Sequence, residues 1–409
     1  MSVDFDALVI GGGPAGLSAA HTLGKYGLAR TLLIEREAEL GGIPRHCHHA
    51  GFGWFDLRRV MTGPSYAKYR TRLLKTAKIE CWTETTATDW AGSSALRTLS
   101  PNGLETISAK AIVLATGCRE RPRSACLVPG SRPHGVFTTG ALQQLLYINH
   151  QKVGRRAVVI GAEHVSFSAL HSLERSRTKV EAMVTELPHH QTYPIFRWLT
   201  STLHRVPILC NARLTQIFGA KRVEEVEISF STGERKRLAC DTVVFTGNWI
   251  PSHELPRLAH IEMDDGTEGP RVDTGLRTSR EGVFAAGNML HGAEIADVAA
   301  IDGVRAAQSV LEFLKGKNGW HARAIPIETV APLKWIFPNA IRSPADIPPR
   351  NHFILRAQTF LNRVTISVSQ QERVLYRHFF NRMVPNRPYY LPSHWISRID
   401  SQNPIVVSL

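Results

Sequence analysis

No two of the six cysteines in this 409-residue chain stand in a C-x-x-C pair, and none follows Cys240. That spacing excludes a local dithiol, and no four are gathered as an iron–sulfur or structural zinc site requires. No disulfide framework and no metal site are expected. No apolar run approaches the roughly 20 residues that cross a bilayer. Met1-Ser2-Val3-Asp4 leads straight into a strand with no leader, so a cytoplasmic location without an integral membrane segment is expected. Acidic residues are the scarcer charge, 35 Asp and Glu against 49 Lys and Arg, for a net charge of +14. Such a field attracts anions, among them dinucleotides and an acidic partner. Nucleic acid is not expected, because the basic residues are scattered and form no recognisable nucleic-acid motif.

What the chain has instead is glycine at one particular spacing. The apolar run Asp6-Ala7-Leu8-Val9-Ile10 meets Gly11-Gly12-Gly13-Pro14-Ala15-Gly16, then the small-residue helix Leu17-Ser18-Ala19-Ala20, and a second strand ends Leu32-Leu33-Ile34-Glu35. Strand, G-x-G-x-x-G turn, helix, strand and acid together make a dinucleotide-binding fingerprint. Gly11 serves the tight turn, Gly13 lets backbone approach a pyrophosphate, and Gly16 lets helix pack on strand. The pyrophosphate sits on the positive end of the helix, and Glu35 stands where a carboxylate would hold a ribose diol.

A second unit begins at Arg156-Ala157-Val158-Val159-Ile160-Gly161, followed by Ala162-Glu163-His164-Val165-Ser166 and a later strand Val180–Val184. Its fingerprint is damaged: Glu163 replaces the second glycine and Ser166 the third. A carboxylate where a pyrophosphate should approach is bulky and repulsive, so NAD(P) binding there is open but disfavoured. Lys110–Gly117 reads as a buried strand ending Ala115-Thr116-Gly117, echoed by Asp241–Gly247. Gly282–Asn288 reads as a strand with a glycine tip, and Ile295–Leu314 as an alanine-rich helix.

These motifs, in this order, resemble the two-dinucleotide-domain flavoproteins of the pyridine nucleotide–disulfide oxidoreductase superfamily, over residues 4–320. The resemblance implies an α/β fold with two Rossmann-like dinucleotide-binding domains, the FAD domain discontinuous and the NAD(P)-like domain inserted in it, plus a small β-rich C-terminal extension. The expected boundaries are 1–150 and 241–323 for the FAD domain, 151–240 for the inserted domain and 324–409 for the extension. Gly41–His49, Thr62-Gly63-Pro64, Arg119-Glu120-Arg121-Pro122 and Thr138-Thr139-Gly140-Ala141 resemble a narrower branch. It holds flavoprotein subunits of the opine dehydrogenase, hydrogen cyanide synthase and anaerobic glycerol-3-phosphate dehydrogenase kinds, which commonly work beside a second flavoprotein or electron-transfer subunit.

The resemblance implies FAD as cofactor. The expected binding set is Gly11, Gly13, Pro14, Ala15, Gly16, Glu35, Arg36, Gly42, Arg45, Thr86, Ala115, Thr116, Gly117, Gly287, Asn288, Ile295 and Ala296. Gly287 and Asn288 would face the ribityl and pyrophosphate region, although Asp is the usual residue at 288. The helix start at Ile295 and Ala296 would point its amides at the flavin pyrimidine edge. Catalytic candidates are Cys47, His46 and His48, in the segment that enters the isoalloxazine neighbourhood in this family. Cations around Cys47, from Arg45 to His49, would lower its thiolate pKa; the alternative is a structural cysteine lining the pocket. The run Arg119–Arg123 suggests an interdomain hinge or a path to an acidic partner, or else a solvated loop. His189, His190 and Tyr193–Leu199 suggest a partner surface, or equally a helix packed on the core.

The tail from Ala324 on carries Pro326, Pro332, Pro338, Pro344, Pro348 and Pro349, then the alternating run Val364–Val368. It reads as a proline-rich linker into a β-rich packing unit. The expected function is that of an FAD-dependent dehydrogenase subunit, which oxidises a small amine or hydroxy compound and hands electrons on. An NAD(P)H-dependent flavin reductase or oxidase, and a non-catalytic FAD-binding scaffold, are the alternatives.

Overall fold

The computed structural model describes residues 2–194, 206–316, 320, 324–400 and 402–409. The chain falls into two compact units: Met1–Arg45 with Ala50–Cys118 and Pro251–Leu409, and His46–His49 with Arg119–Ile250.

The first unit is built on a seven-stranded sheet. Its order is Glu80–Trp82, Thr31–Ile34, Ser2–Ile10, Gly103–Leu114, Ala95–Ser100 and Thr86–Trp90, with Val283–Ala285 beside the end of Gly103–Leu114. The central strands are continuous apolar runs because both faces are covered: Ala7, Leu8, Val9 and Leu32 to Ile34 are sealed from solvent. Strand Ser2–Ile10 pairs in parallel with Thr31–Ile34 and Gly103–Leu114, so both neighbours end level with the glycine turn. Helix Pro14–Lys25 starts on a proline, whose fixed φ suits a first helical turn. Helix Ala296–Leu314 crosses it so closely that a Cβ on Gly303 would lie 2.0 Å from the Ala15 carbonyl oxygen.

The extension belongs to this unit and is strand almost from its start. Ala340–Ile341, Ile325–Thr329, Ile405–Ser408, Leu361–Gln370 and Arg373–Met383 form one sheet; Leu333–Phe337, His352–Ala357 and Tyr389–Pro392 form another. Phe353, Ile366, Leu391, Trp395 and Val407 fill its own core, while Trp335, Phe337 and Ile354 join the core of the dinucleotide fold. The proline-rich stretch is therefore not a linker. Pro326 sits in a strand at a short two-residue pairing, and Pro338 and Pro344 lie between strands, where no ladder N–H is needed.

The second unit holds a parallel sheet in the order Val136–Thr138, Thr242–Phe245, Arg156–Ile160, Lys179–Val184, Ile208–Leu209, and an antiparallel sheet of Ala212–Phe218, Glu225–Phe230 and Arg235–Ala239. Strands 136–138 and 242–245 were expected in the FAD domain. Instead they belong to this sheet, where Thr242–Phe245 pairs with both Val136–Thr138 and Arg156–Ile160. A parallel strand is placed by the neighbour it registers with, and no change of composition near 150 or 240 reports that pairing.

Candidate functional site

The two fingerprints fold into the same local unit and differ in what fills it. At the first, Gly11 has φ +107°, and a Cβ there would fall 2.5 Å from the Ala115 carbonyl oxygen. Only glycine fits that approach of the Ala115-Thr116-Gly117 strand end. A Cβ on Gly16 would lie 1.8 Å from the Gly11 carbonyl oxygen, so this glycine sets the helix-to-strand spacing. Gly13, the residue just before the helix, has no side-chain cap, and a Cβ there would meet nothing within 4 Å. The helix end is open and its amides face a space bounded by glycine: a Cβ on Gly42 would sit 2.8 Å from Gly13 Cα, and one on Gly287 2.6 Å from Ala15 Cβ. An open, uncapped helix N-terminus ringed by backbone is a cradle of the kind a pyrophosphate needs.

Glu35 follows directly on the strand Thr31–Ile34. Its Oε2 accepts from Gly12 N at 2.6 Å and its Oε1 from Glu37 N at 2.9 Å, which fixes the carboxylate beside the turn. Arg36 is exposed, and Arg45 is engaged with Glu37 and Glu39, bracing the loop that leads to Gly42. Thr86 is exposed at the start of an outer strand, whereas its buried neighbour Thr85 donates its backbone N–H to Glu35 O. Thr116 Oγ1 donates to Ser252 O at 2.8 Å. Asn288 closes a turn with Glu294, donating to its carbonyl and accepting from its N–H. Ile295 caps helix Ala296–Leu314, and Asp297 in its first turn accepts from Gly53 N and Phe55 N, both at 2.8 Å. Nothing in the fingerprint announced this last anchor; its only sequence signal is an acid in a helix's first turn.

The second fingerprint is closed from within. Gly161, φ +135°, keeps the tight turn. Glu163 takes the helix-capping place of Gly13 and forms a capping box with Ser166: the carboxylate accepts from the Ser166 N–H, and Ser166 Oγ accepts from the Glu163 N–H at 3.1 Å. Ser166 Oγ also pairs with Thr246 Oγ1 at 2.6 Å, and Thr246 donates to Ile160 O. A Cβ on Gly161 would lie 1.9 Å from Thr246 Oγ1, and one on Gly247 1.9 Å from Glu163 Oε1. The space a pyrophosphate would enter is taken by a carboxylate and a threonine. Thr246 and Gly247 sit some 80 residues beyond the turn, so their part in closing it was hidden from the local motif.

The Cys47 segment does not behave as its neighbours in sequence suggest. Cys47 is buried, and its thiol donates to Gln143 Oε1 at 3.4 Å; Gln143 in turn donates to Ser168. Burial, then the nearby Glu120 carboxylate, push the thiol up to about 12, the reverse of the expected activation. Adjacent cations in sequence do not offset the loss of water around a thiolate. None of the six cysteines is joined in a disulfide. His46 is buried, and His48 stacks on Tyr147 with ring centroids 4.0 Å apart; burial and Arg175 lower the His48 pKa. No metal-holding group of three His, Cys, Asp or Glu occurs among the described residues, and no helix there is long and apolar enough to cross a membrane.

Within the arginine run, Arg123 and Glu120 bond inside the second unit. Arg123 donates to the carbonyls of Val128, Pro129 and Ser131, and buried Glu120 accepts from Thr139 N and Gly140 N. Of the Tyr193–Leu199 run, residues from 195 on lie outside the described residues; Tyr193 packs against His164.

Two dinucleotide units, the first with an open glycine cradle, define a flavoprotein of the two-Rossmann-domain class. Residues 5–303 match the model of the pyridine nucleotide-disulphide oxidoreductase family, and the chain belongs to that family. It is 26% identical over 343 residues to an opine oxidase subunit of Agrobacterium tumefaciens (strain Ach5), covering 76% of this chain and 66%, just under two thirds, of that protein. It is 26% identical over 296 residues to thioredoxin reductase of Treponema pallidum (strain Nichols), covering 71% of this chain and 90% of that one. The fold of T. acidophilum thioredoxin reductase superposes with a TM-score of 0.65 at 22% identity, covering 76% of this chain and 98% of the other. The chain is thus an FAD-dependent oxidoreductase.

Proposed function

We propose that the chain is the flavoprotein subunit of a heteromeric dehydrogenase, which takes a hydride from a small amine or hydroxy compound and passes the electrons to a partner protein. The observation that carries this reading is the second turn, where the Glu163 carboxylate occupies the helix end that NAD(P)H would need. With a carboxylate at that helix end, this reading gives the cofactor a donor other than a pyridine nucleotide. Similarity to a protein whose name makes it one subunit of opine oxidase supports the heteromeric part, and a net charge of +14 favours an acidic partner.

Bound FAD supplies the hydride-accepting chemistry. The protein's share is binding and orientation. The Gly11–Gly16 turn would cradle the pyrophosphate, Glu35 would accept from ribose hydroxyls, and the amides at Ala296 would favour negative charge at the flavin's pyrimidine edge. Cys47, a neutral thiol, is not part of an electron store. The test is anaerobic mixing of the purified yellow protein with small secondary amines and hydroxy acids. Bleaching by such a donor without nucleotide is expected. Bleaching by NAD(P)H alone would favour a reductase, and retained colour with every donor a scaffold.

A further inference from the structure

The family match ends at residue 303, yet the contacts that hold the turn after Gly287 reach beyond it. The turn that follows Gly287 is held at three levels. Asn288 Nδ2 donates to Glu294 O at 3.1 Å while its Oδ1 accepts from Glu294 N at 3.0 Å. A side-chain amide carries its donor and its acceptor on separate atoms and so makes both bonds at once. Glu294 then extends its carboxylate to Arg356, whose Nη2 also donates to Ala293 O at 2.9 Å. The two charged side chains are 7% and 4% exposed. Arg356 lies on His352–Ala357, the middle strand of its three-stranded sheet, directly opposite Trp335, with its guanidinium 5.1 Å over that indole. Trp335 is buried in the core shared with the dinucleotide fold. A strand of the extension thus grips an acid, and the backbone of that acid closes the turn beside Gly287.

We propose that Arg356 is a positioning residue of the flavin site, and that the extension completes the cradle by fixing the 288–294 turn through Glu294 and Ala293. This rests on the reading that Gly287–Ala296 faces FAD. Two further pairs, Arg342 with Asp273 and Arg350 with Asp302, tie the extension to the same half of the unit; Asp302 also meets His291 of the turn, Oδ2 to Nε2 at 2.9 Å, so Arg350 braces the turn one side chain further removed. A buried carboxylate stripped of its partner is strongly disfavoured and rearranges toward water or protonates. Loss of Arg356 removes the bonds that hold Ala293 and Glu294 and so should loosen the turn as well as lower the melting temperature.

The test is FAD titration of the apo-protein by fluorescence, with the visible spectrum of the reconstituted flavin as a second readout. Arg356→Met should weaken FAD binding at least about tenfold and shift the flavin bands, since it strands a buried charge. Glu294→Gln keeps both backbone bonds to Asn288 and removes only the charge; it guards against a folding failure of the first variant and should weaken binding by a smaller factor. Arg356→Lys should recover part of the loss. Arg373→Met, which breaks an exposed pair with Asp400 in the same extension, should bind FAD like the wild type. Unchanged affinity and bands in both Arg356→Met and Glu294→Gln, with only a lower melting temperature, would overturn the inference. If the wild type and Gly13→Val also bind FAD equally, the cradle reading falls with it; if Gly13→Val loses FAD, the positioning role alone is wrong.

Discussion

The residues that precede the two fingerprint helices share one backbone conformation and have opposite consequences. Gly13 has φ −80° and ψ −175°, Glu163 φ −105° and ψ −176°. Both enter a helix from an extended residue, both follow a parallel strand, and both turns use a positive-φ glycine. Only the side chain differs. Without one, the amides at the first helix end stay open to an anion. With a carboxylate, the second helix caps itself, a gain over glycine of about a few tenths of a kcal/mol. An incoming pyrophosphate would have to displace that cap and then meet its charge. On the proposed reading the dinucleotide fold and the dinucleotide site are separable: strand, turn and helix form alike at both places, whether the helix end is open or capped.

The sharpest way to break this comparison is to put a side chain at Gly13. A Cβ there meets nothing within 4 Å and the backbone is unstrained, so Gly13→Val should fold normally and purify colourless. Its circular dichroism and melting temperature should match those of the apo wild type. Yellow flavin retained at full stoichiometry would end the assignment of the cradle. Gly16→Val is the structural contrast: with a Cβ 1.8 Å from the Gly11 carbonyl oxygen, it should lose the fold and not merely the cofactor.

The reverse change sharpens the comparison from the other side. Glu163→Gly removes the self-cap and, because glycine is itself a tolerated N-cap, should destabilise the protein by only a few tenths of a kcal/mol in denaturant melts. In exchange, NADPH binding should rise from undetectable to measurable in fluorescence titration. Lower stability with no gain in nucleotide binding would mean that Thr246 closes the turn by itself.

A smaller effect is expected at Cys47. Burial holds its pKa at about 12, so its thiolate forms only as pH rises far beyond the usual range near 8.5. Iodoacetamide at pH 8 should therefore spare it while more accessible cysteines react, and peptide mapping would reveal the order. Anaerobic dithionite titration should consume one two-electron equivalent per flavin, in the wild type and in Cys47→Ser alike. Two equivalents falling to one in the variant would restore a thiol redox centre.

Local pattern was enough to read much of this molecule. The apolar runs at Ala7–Ile10 and Val158–Ile160 announced parallel strands, the glycines at 11, 13 and 16 announced an open site, and Glu163 announced a damaged one. Contacts made across long stretches of chain were not legible. Thr242–Phe245 joined the second sheet because Arg156–Ile160 offers it a register. The tail's prolines looked like linker punctuation because their strand partners lie elsewhere in the extension. Cys47 looked activated because its cationic neighbours are visible in sequence, while the burial that opposes them is not. Arg356 and Glu294 are 62 residues apart, and no motif joins them.

The most direct test of the contrast between the two turns is anaerobic stopped-flow mixing of the yellow wild-type protein with NADH and with NADPH. A self-capped second turn predicts flavin absorbance that stays unchanged, or declines slowly without saturating in nucleotide. Rapid bleaching that saturates at micromolar NADH or NADPH would show that the second turn accepts a pyrophosphate despite Glu163, and would contradict the account.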